Sequence, residues 1–225
     1  MTAQSLRDEL PADQRLRITE IFHSIQGEAD SVGWPTVFVR LTGCPLRCQY
    51  CDTAYAFHGG EWISIQNVLM RVAEFSPHYV TVTGGEPLAQ KNCSRLLTQL
   101  CDAGYRVSIE TSGSLPIAAM DSRVIRVMDM KTPGSGECLQ NLYANIPHLR
   151  KQDQVKFVIC HRDDYEWSRH MLQEHKLAEL CQVLFSPSHE QLKAVELAEW
   201  ILADRLPVRL QLQLHKYLWG NVPGH

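Results

Sequence analysis

At 225 residues, 44% hydrophobic and 21% charged with a formal net charge of −3, the chain has the make-up of one globular domain with a full core. That balance excludes a disordered polymer and a broad basic face for nucleic acid. No apolar run approaches the ~18 residues that would cross a membrane, and residues 1–17 lack the apolar stretch of a secretory signal. A cytoplasmic, reducing compartment is therefore expected, where clustered cysteines mean metal or redox chemistry.

Residues 1–17 read as an N-terminal lead-in and 18–225 as a single domain. The first clear strand is 36–41, an apolar run that delivers the chain into a cysteine-rich loop. Ser64 then N-caps a helix whose apolar positions, Val68, Leu69, Val72 and Phe75, recur at helical spacing. Strand 79–83 ends at Gly84-Gly85-Glu86-Pro87, and a helix carrying Leu96, Leu97 and Leu100 follows, stopped by Gly104. Strands are expected at 105–109, leading to Glu110-Thr111-Ser112-Gly113, and at 124–128, leading to Asp129-Met130-Lys131. The second half continues with strand 154–160, helix 163–175, strand 182–185, an amphipathic helix over 190–203 and an alternating strand over 208–214. This order predicts an α/β fold with a mainly parallel sheet, an open, partial TIM-like barrel of about six βα units.

Residues with chemistry gather where strands end, which is where parallel α/β folds bind ligands. Cys44, Cys48 and Cys51 form a C-x3-C-x2-C run. Three thiolates from one loop can hold a soft metal centre, one short of the four that close a structural zinc site or an ordinary iron–sulfur cluster. The open position suits a [4Fe–4S] cluster with one iron left for a further ligand. A structural zinc with a remote fourth ligand, as in a small RNA-binding module, is the other reading of the spacing. Cys93, Cys101, Cys138, Cys160 and Cys181 read as small buried apolar residues.

The cysteine run, with aromatic Tyr50 before its last member, resembles the signature of the radical S-adenosylmethionine enzymes, and Gly84-Gly85-Glu86-Pro87 resembles their second motif. A narrower resemblance runs through Ser24-Ile25-Gln26-Gly27-Glu28, Cys51-Asp52-Thr53, Glu110-Thr111-Ser112-Gly113 and Gln213-Leu214-His215-Lys216-Tyr217-Leu218-Trp219. In these the chain is similar to the 7-carboxy-7-deazaguanine synthase family. The resemblance implies a radical SAM core and a lyase that converts 6-carboxy-5,6,7,8-tetrahydropterin to 7-carboxy-7-deazaguanine with loss of ammonia, toward queuosine and other deazapurines. It implies a [4Fe–4S] cluster on Cys44, Cys48 and Cys51, and no catalytic residue separate from cluster and cofactor. S-adenosylmethionine would be held by Tyr50, Cys51, Asp52, Gly85, Asp129, Met130, Lys131 and Ser186, and Mg2+ by Thr53. Ile25, Gln26, Gly27, Glu28, Arg40, Thr83 and His215 would contact substrate, the planar cation of Arg40 suiting a carboxylate. Implied partners are the small pterin, a reductant such as flavodoxin or ferredoxin, and a second copy in a homodimer, with no nucleic acid and no membrane. Asp129-Met130-Lys131 stands where some members carry Ser-Pro-Lys. An activating enzyme that takes hydrogen from a partner protein's glycine would share the cluster loop and an Asp-x-Lys segment; residues 24–28 and 213–219 favour the pterin.

Overall fold

The computed structural model describes residues 14–189, 191–220, 222 and 224. Its strands are β1 (Arg15–Ile25), β2 (Pro35–Leu41), β3 (Glu61–Ser64), β4 (Tyr79–Gly84), β5 (Arg106–Thr111), β6 (Ile125–Asp129), β7 (Gln154–Ile159), β8 (Gln182–Pro187) and β9 (Arg209–Leu210). They form one sheet in the order β3-β1-β2-β4-β5-β6-β7-β8-β9. From β2 to β9 every neighbouring pair is parallel, while β1 runs antiparallel to both β2 and β3. β3 and β9 stand at opposite edges, so the expected partial barrel is present and open.

The helices are α1 (Ile65–Glu74), α2 (Cys93–Asp102), α3 (Arg162–Glu174), α4 (Leu177–Leu180), α5 (Ala194–Asp204) and α6 (Leu214–Trp219). Ser64 caps α1 as expected, its hydroxyl accepting the Asn67 N–H at 3.1 Å. Val37, Val39 and Leu41 of β2, Val80 and Val82 of β4, and Val155, Phe157 and Ile159 of β7 pack outward against Leu96, Leu97, Leu100, Tyr165 and Leu197 of the helices. The alternate residues of the same strands face the barrel lumen, because strand side chains alternate between faces.

Several elements depart from the expected pattern. β1 opens at Arg15, inside the expected lead-in, since buried Leu16 and Ile18 alternate with the polar residues Arg15, Arg17 and Thr19; residues 1–13 lie outside the described residues. β3 was not expected either; Trp62 is exposed and only Ile63 and Ser64 are buried. No α-helix covers the connection from β5 to β6 or from β6 to β7. Pro116, Pro133 and Pro147 interrupt those stretches, and the Asn145 amide ties them instead, donating to Gly113 O and Leu115 O at 2.9 Å each. The last expected strand shrinks to Arg209–Leu210, and Leu214 opens a helix. α5 starts at Ala194 rather than 190, since Gln191 N and Leu192 N both turn back to donate to Ser188 O at 3.2 Å; Glu190 itself is outside the described residues. Cys93, Cys160 and Cys181 are buried as expected, but Cys101 and Cys138 are only partly so. No helix among the described residues is long and apolar enough to cross a membrane.

Candidate active site

The cysteine loop leaves β2 at Leu41 and is fixed from three sides. Gly43 N donates to Ala56 O and Glu86 N to Gly43 O, both at 2.8 Å, and Gln49 N donates to Ser135 O at 3.0 Å. A Cβ on Gly85 would lie 2.3 Å from Gly43 O and 2.7 Å from Cys44 Cβ. The glycine is therefore needed to seat the Gly-Gly-Glu-Pro turn on the cysteine loop, a closer constraint than the cofactor approach expected of it. Glu86 is fully buried and accepts from Thr111 Oγ1 at 2.9 Å and from Ser112 N at 2.7 Å, joining the ends of β4 and β5.

Cys44, Cys48 and Cys51 are free thiols that line one cavity of about 720 Å3 at the carboxyl ends of the strands. Burial pushes all three thiols up, Cys48 to about 11, against the opposing pull of Lys131. Thiolates so placed need a cation centre to hold them deprotonated. Among the described residues no three Cys, His, Asp or Glu side chains converge as they would on a single metal ion. The donor set fits a cluster, in which each thiolate takes its own iron.

Below this rim the lumen is polar. The segment from Gln26 to Trp34 joins β1 to β2, its ends held together by Gln26 N donating to Trp34 O at 2.9 Å, and it lies across the lumen. Gln26 Nε2 donates to Thr81 Oγ1 on β4 at 3.2 Å; Glu28 Oε2 accepts Lys156 Nζ of β7 at 2.7 Å; Ala29 O accepts from Arg209 of β9. Glu28 Oε1 also accepts Gln213 Nε2 at 2.9 Å. Burial works to raise the Glu28 carboxyl, but Lys156 and Gln213 hold it below its ordinary value. Glu110 goes the other way: burial and the neighbouring Glu28 charge push it up, although Thr83 Oγ1 donates to it at 2.8 Å. Lys131 Nζ lies 3.1 Å from Asp129 Oδ2, and Lys156 Nζ lies 3.6 Å from the same atom.

The cavity collects most of the residues singled out in the sequence. Tyr50, Asp52, Thr53, Gly85, Asp129, Lys131, Ser186, Glu28, Arg40, Thr83 and His215 all line it with the cysteines. Ile25, Gln26 and Gly27 line a smaller adjoining space of about 100 Å3 that shares Glu28, Arg40, Thr53 and His215. Met130 is the exception: its side chain is in the apolar core, because it follows lumen-facing Asp129 and so points the other way. Gly27 is covered by His215, whose Nδ1 would be 2.1 Å from a Cβ there. That histidine lies on α6 rather than on a last strand, and burial lowers its imidazole below the ordinary value, with Glu28 opposing. Arg40 donates through Nε to Glu20 at 2.7 Å, and Tyr55 OH donates to the same oxygen at 2.8 Å. Thr53 Oγ1 donates to Asp52 Oδ1 at 2.9 Å. Burial works to raise Asp52, but Lys216, 3.2 Å away, outweighs it and the carboxyl falls to about 2. Sequence reasoning assigned no role to Lys156, Glu20, Tyr55, Glu110, Gln213 or Lys216. The signal for Lys156 and Glu20 was a charge at lumen parity inside a strand.

The geometry is that of a radical S-adenosylmethionine enzyme: a tri-cysteine loop and a glycine turn side by side at the strand ends of a partial barrel. Residues 38–128 match the Radical SAM superfamily model. The crystal structure of QueE from Escherichia coli superimposes with a TM-score of 0.73 at 22% identity, over 89% of this chain and 95% of that one. Streptococcus suis SuiB bound to S-adenosylmethionine superimposes with a TM-score of 0.53 over 76% of this chain and 48% of that one, at 14% identity. The 7-carboxy-7-deazaguanine synthase of Chlorobaculum tepidum is 44% identical over 208 residues, spanning 91% of this chain and 94% of the relative. That of Koribacter versatilis is 41% identical over 219 residues, spanning 91% and 97%. The chain belongs to the 7-carboxy-7-deazaguanine synthase family, and its class uses a [4Fe–4S] cluster with S-adenosylmethionine.

Proposed function

We propose that this chain converts 6-carboxy-5,6,7,8-tetrahydropterin to 7-carboxy-7-deazaguanine with loss of ammonia, as a step toward queuosine and other deazapurines. The observation that carries this is a polar lumen opening directly beneath the three cysteines, lined by Glu28, Arg40, Thr83, Glu110 and His215. Its volume, about 720 Å3, is in the range of small-ligand sites.

Cys44, Cys48 and Cys51 would hold the cluster, and Tyr50, Asp52, Gly85, Asp129, Lys131 and Ser186 line the space beside them where S-adenosylmethionine would sit. When bound, the pair supplies an electron to a sulfonium and thereby radical chemistry. The chain's own part is to bind, orient and exclude water. Arg40 offers its guanidinium to the substrate carboxylate while Glu20 and Tyr55 hold its Nε side. Glu28, Gln26 and Thr83 supply acceptors and donors for the amide and amino edge of a pterin. His215, lowered by burial, is neutral near pH 7 and can both donate and accept. Thr53 and Asp52 present hard oxygens at the cavity edge, the donor type Mg2+ takes together with waters and a substrate carboxylate.

A single domain beginning with β1, a homodimer, a flavodoxin- or ferredoxin-type reductant and a cytoplasmic location complete the reading. One continuous sheet and core support the first, and the three buried thiols among the eight cysteines the last. Anaerobically purified protein should be brown with about four irons per chain, and should form the deazaguanine from carboxytetrahydropterin, S-adenosylmethionine and dithionite, faster with Mg2+ present. A colourless protein with one tightly bound zinc would sink the reading. Mg2+ dependence left intact in Thr53→Ala would remove Thr53 from it.

A further inference from the structure

Lys156 sits where the two ligands would meet. Its ammonium is 2.7 Å from Glu28 Oε2 and 3.6 Å from Asp129 Oδ2, and its side chain is 15% exposed. Glu28 belongs to the segment that crosses the lumen and is fixed from behind by Gln213. Asp129 ends β6 beside Lys131, under the cysteine rim. One cation thus bridges a carboxylate on the pterin side and a carboxylate on the cofactor side. Burial works against its charge, yet Glu28 and Asp129 more than restore it.

Two further details separate this from a plain structural ion pair. Asp129 has its own partner in Lys131, so Lys156 is not needed to neutralise it. Asp129 Oδ1 is buried with no hydrogen-bond partner among the described residues, although the carboxylate lines the cavity. A buried acceptor left open beside a binding space is completed by a donor on the ligand. Lys156 reaches that same carboxylate through its other oxygen. A shift of the ligand on either side therefore moves the group that orients the other.

We propose that Lys156 is the positioning residue that sets the pterin in register with S-adenosylmethionine, so that cofactor cleavage and product formation stay coupled. The inference rests on the function proposed above and deepens it. Positional error of about 1 Å costs roughly 10²-fold in rate, and among the described residues Lys156 is the one cation ion-paired to both halves of the site. When register is lost, each wasted event takes one electron from the added reductant and one hydrogen atom from a thiol in the buffer. The sulfonium C–S bond breaks, and methionine and 5′-deoxyadenosine are released without deazaguanine.

The test compares iron-replete wild type with Lys156→Met and with the charge-balanced pair Lys156→Met/Glu28→Gln, which removes both members of the ion pair in case the single variant does not fold. Two quantities are read: 5′-deoxyadenosine released per deazaguanine under reduction, and calorimetric affinity of the unreduced holoenzyme for carboxytetrahydropterin with and without S-adenosylmethionine. The ratio should rise about 10-fold or more in both variants. The effect of one ligand on the affinity for the other should also vanish. An unchanged ratio in either folded, iron-replete variant overturns the inference while leaving the function standing. Wild type that makes no deazaguanine overturns the function and this inference with it.

Discussion

The two faces of the same sheet are built on opposite terms. On β4, Val80 and Val82 point outward into the helix layer, 1% and 0% exposed, while Thr81 and Thr83 point into the lumen. On β7, Val155, Phe157 and Ile159 pack outward and Lys156 points inward. A closed barrel fills its interior with layers of branched apolar side chains. Here the lumen holds Glu28, Glu110, Asp129, Lys131 and Lys156 with a loop laid across them. The outer face supplies stability through burial; the inner face spends burial on charges that a ligand completes. On β4 and β7, strand parity separates the residues that hold the helix layer from Thr83 and Lys156, which serve the site.

That separation can be attacked from either side. The largest effect should come from Cys48→Ala, which removes a cluster ligand. Activity should fall to background and the brown chromophore should be lost, while the melting temperature of the metal-free protein moves by no more than about 2 °C. Phe157→Ala does the reverse. Its ring packs edge-on against Phe185, centroids 5.5 Å apart, and truncation should cost about 3–5 kcal/mol in urea unfolding. Turnover per cluster-loaded folded molecule should be retained, and a loss of turnover greater than the loss of folded protein would break the division. Arg40→Ala should raise the substrate KM roughly 10²-fold, about 2–3 kcal/mol, with iron content unchanged.

The smallest effect sharpens the point. Glu110 has a raised folded-state pKa, so its ionisation above that value costs stability, and the cost disappears once both states are protonated. Glu110→Gln should therefore melt a few degrees higher than wild type at neutral pH, roughly 2–4 °C for about 1 kcal/mol. The gain should fade as pH drops through the folded-state pKa and below 4.5, the ordinary value. Activity should decline in the same variant. A gain that persisted at pH 4 would mean that packing, rather than charge, is responsible.

The parallel sheet was legible because its strands are short apolar runs and their ends carry unusual residues. The cysteine loop, the glycine turn and Asp129-Met130-Lys131 needed only local pattern to find. What escaped was whatever depends on partners far along the chain. Lys156 lies in the apolar run Gln154–Ile159 and gains its meaning from Glu28, 128 positions away. β1 was hidden by its charges, since Glu20 faces inward to Arg40 and reads in isolation as a solvated position. Met130 was assigned with its neighbours, whereas alternation from Asp129 alone would have turned it away. Gly27 and Gly85 line the cavities and also let His215 and the cysteine loop close in, a packing need that the sequence does not show.

The loop laid across the lumen also has a bearing on how the protein comes into being. Its Glu28 is tied to Gln213, 185 residues on, and its Ala29 to Arg209, 180 residues on. The helix-clad face, by contrast, can grow from neighbouring strand–helix pairs as they emerge. Contacts of such long sequence separation close late, because their loop entropy must be met first. On the ribosome, where the earlier part of a chain is free to fold first, the sheet can be largely assembled while the substrate chamber is still unformed. The chamber gains the last ties of its floor, at Arg209 and Gln213, only when those residues leave the tunnel, so the chain is shaped before it is able to act.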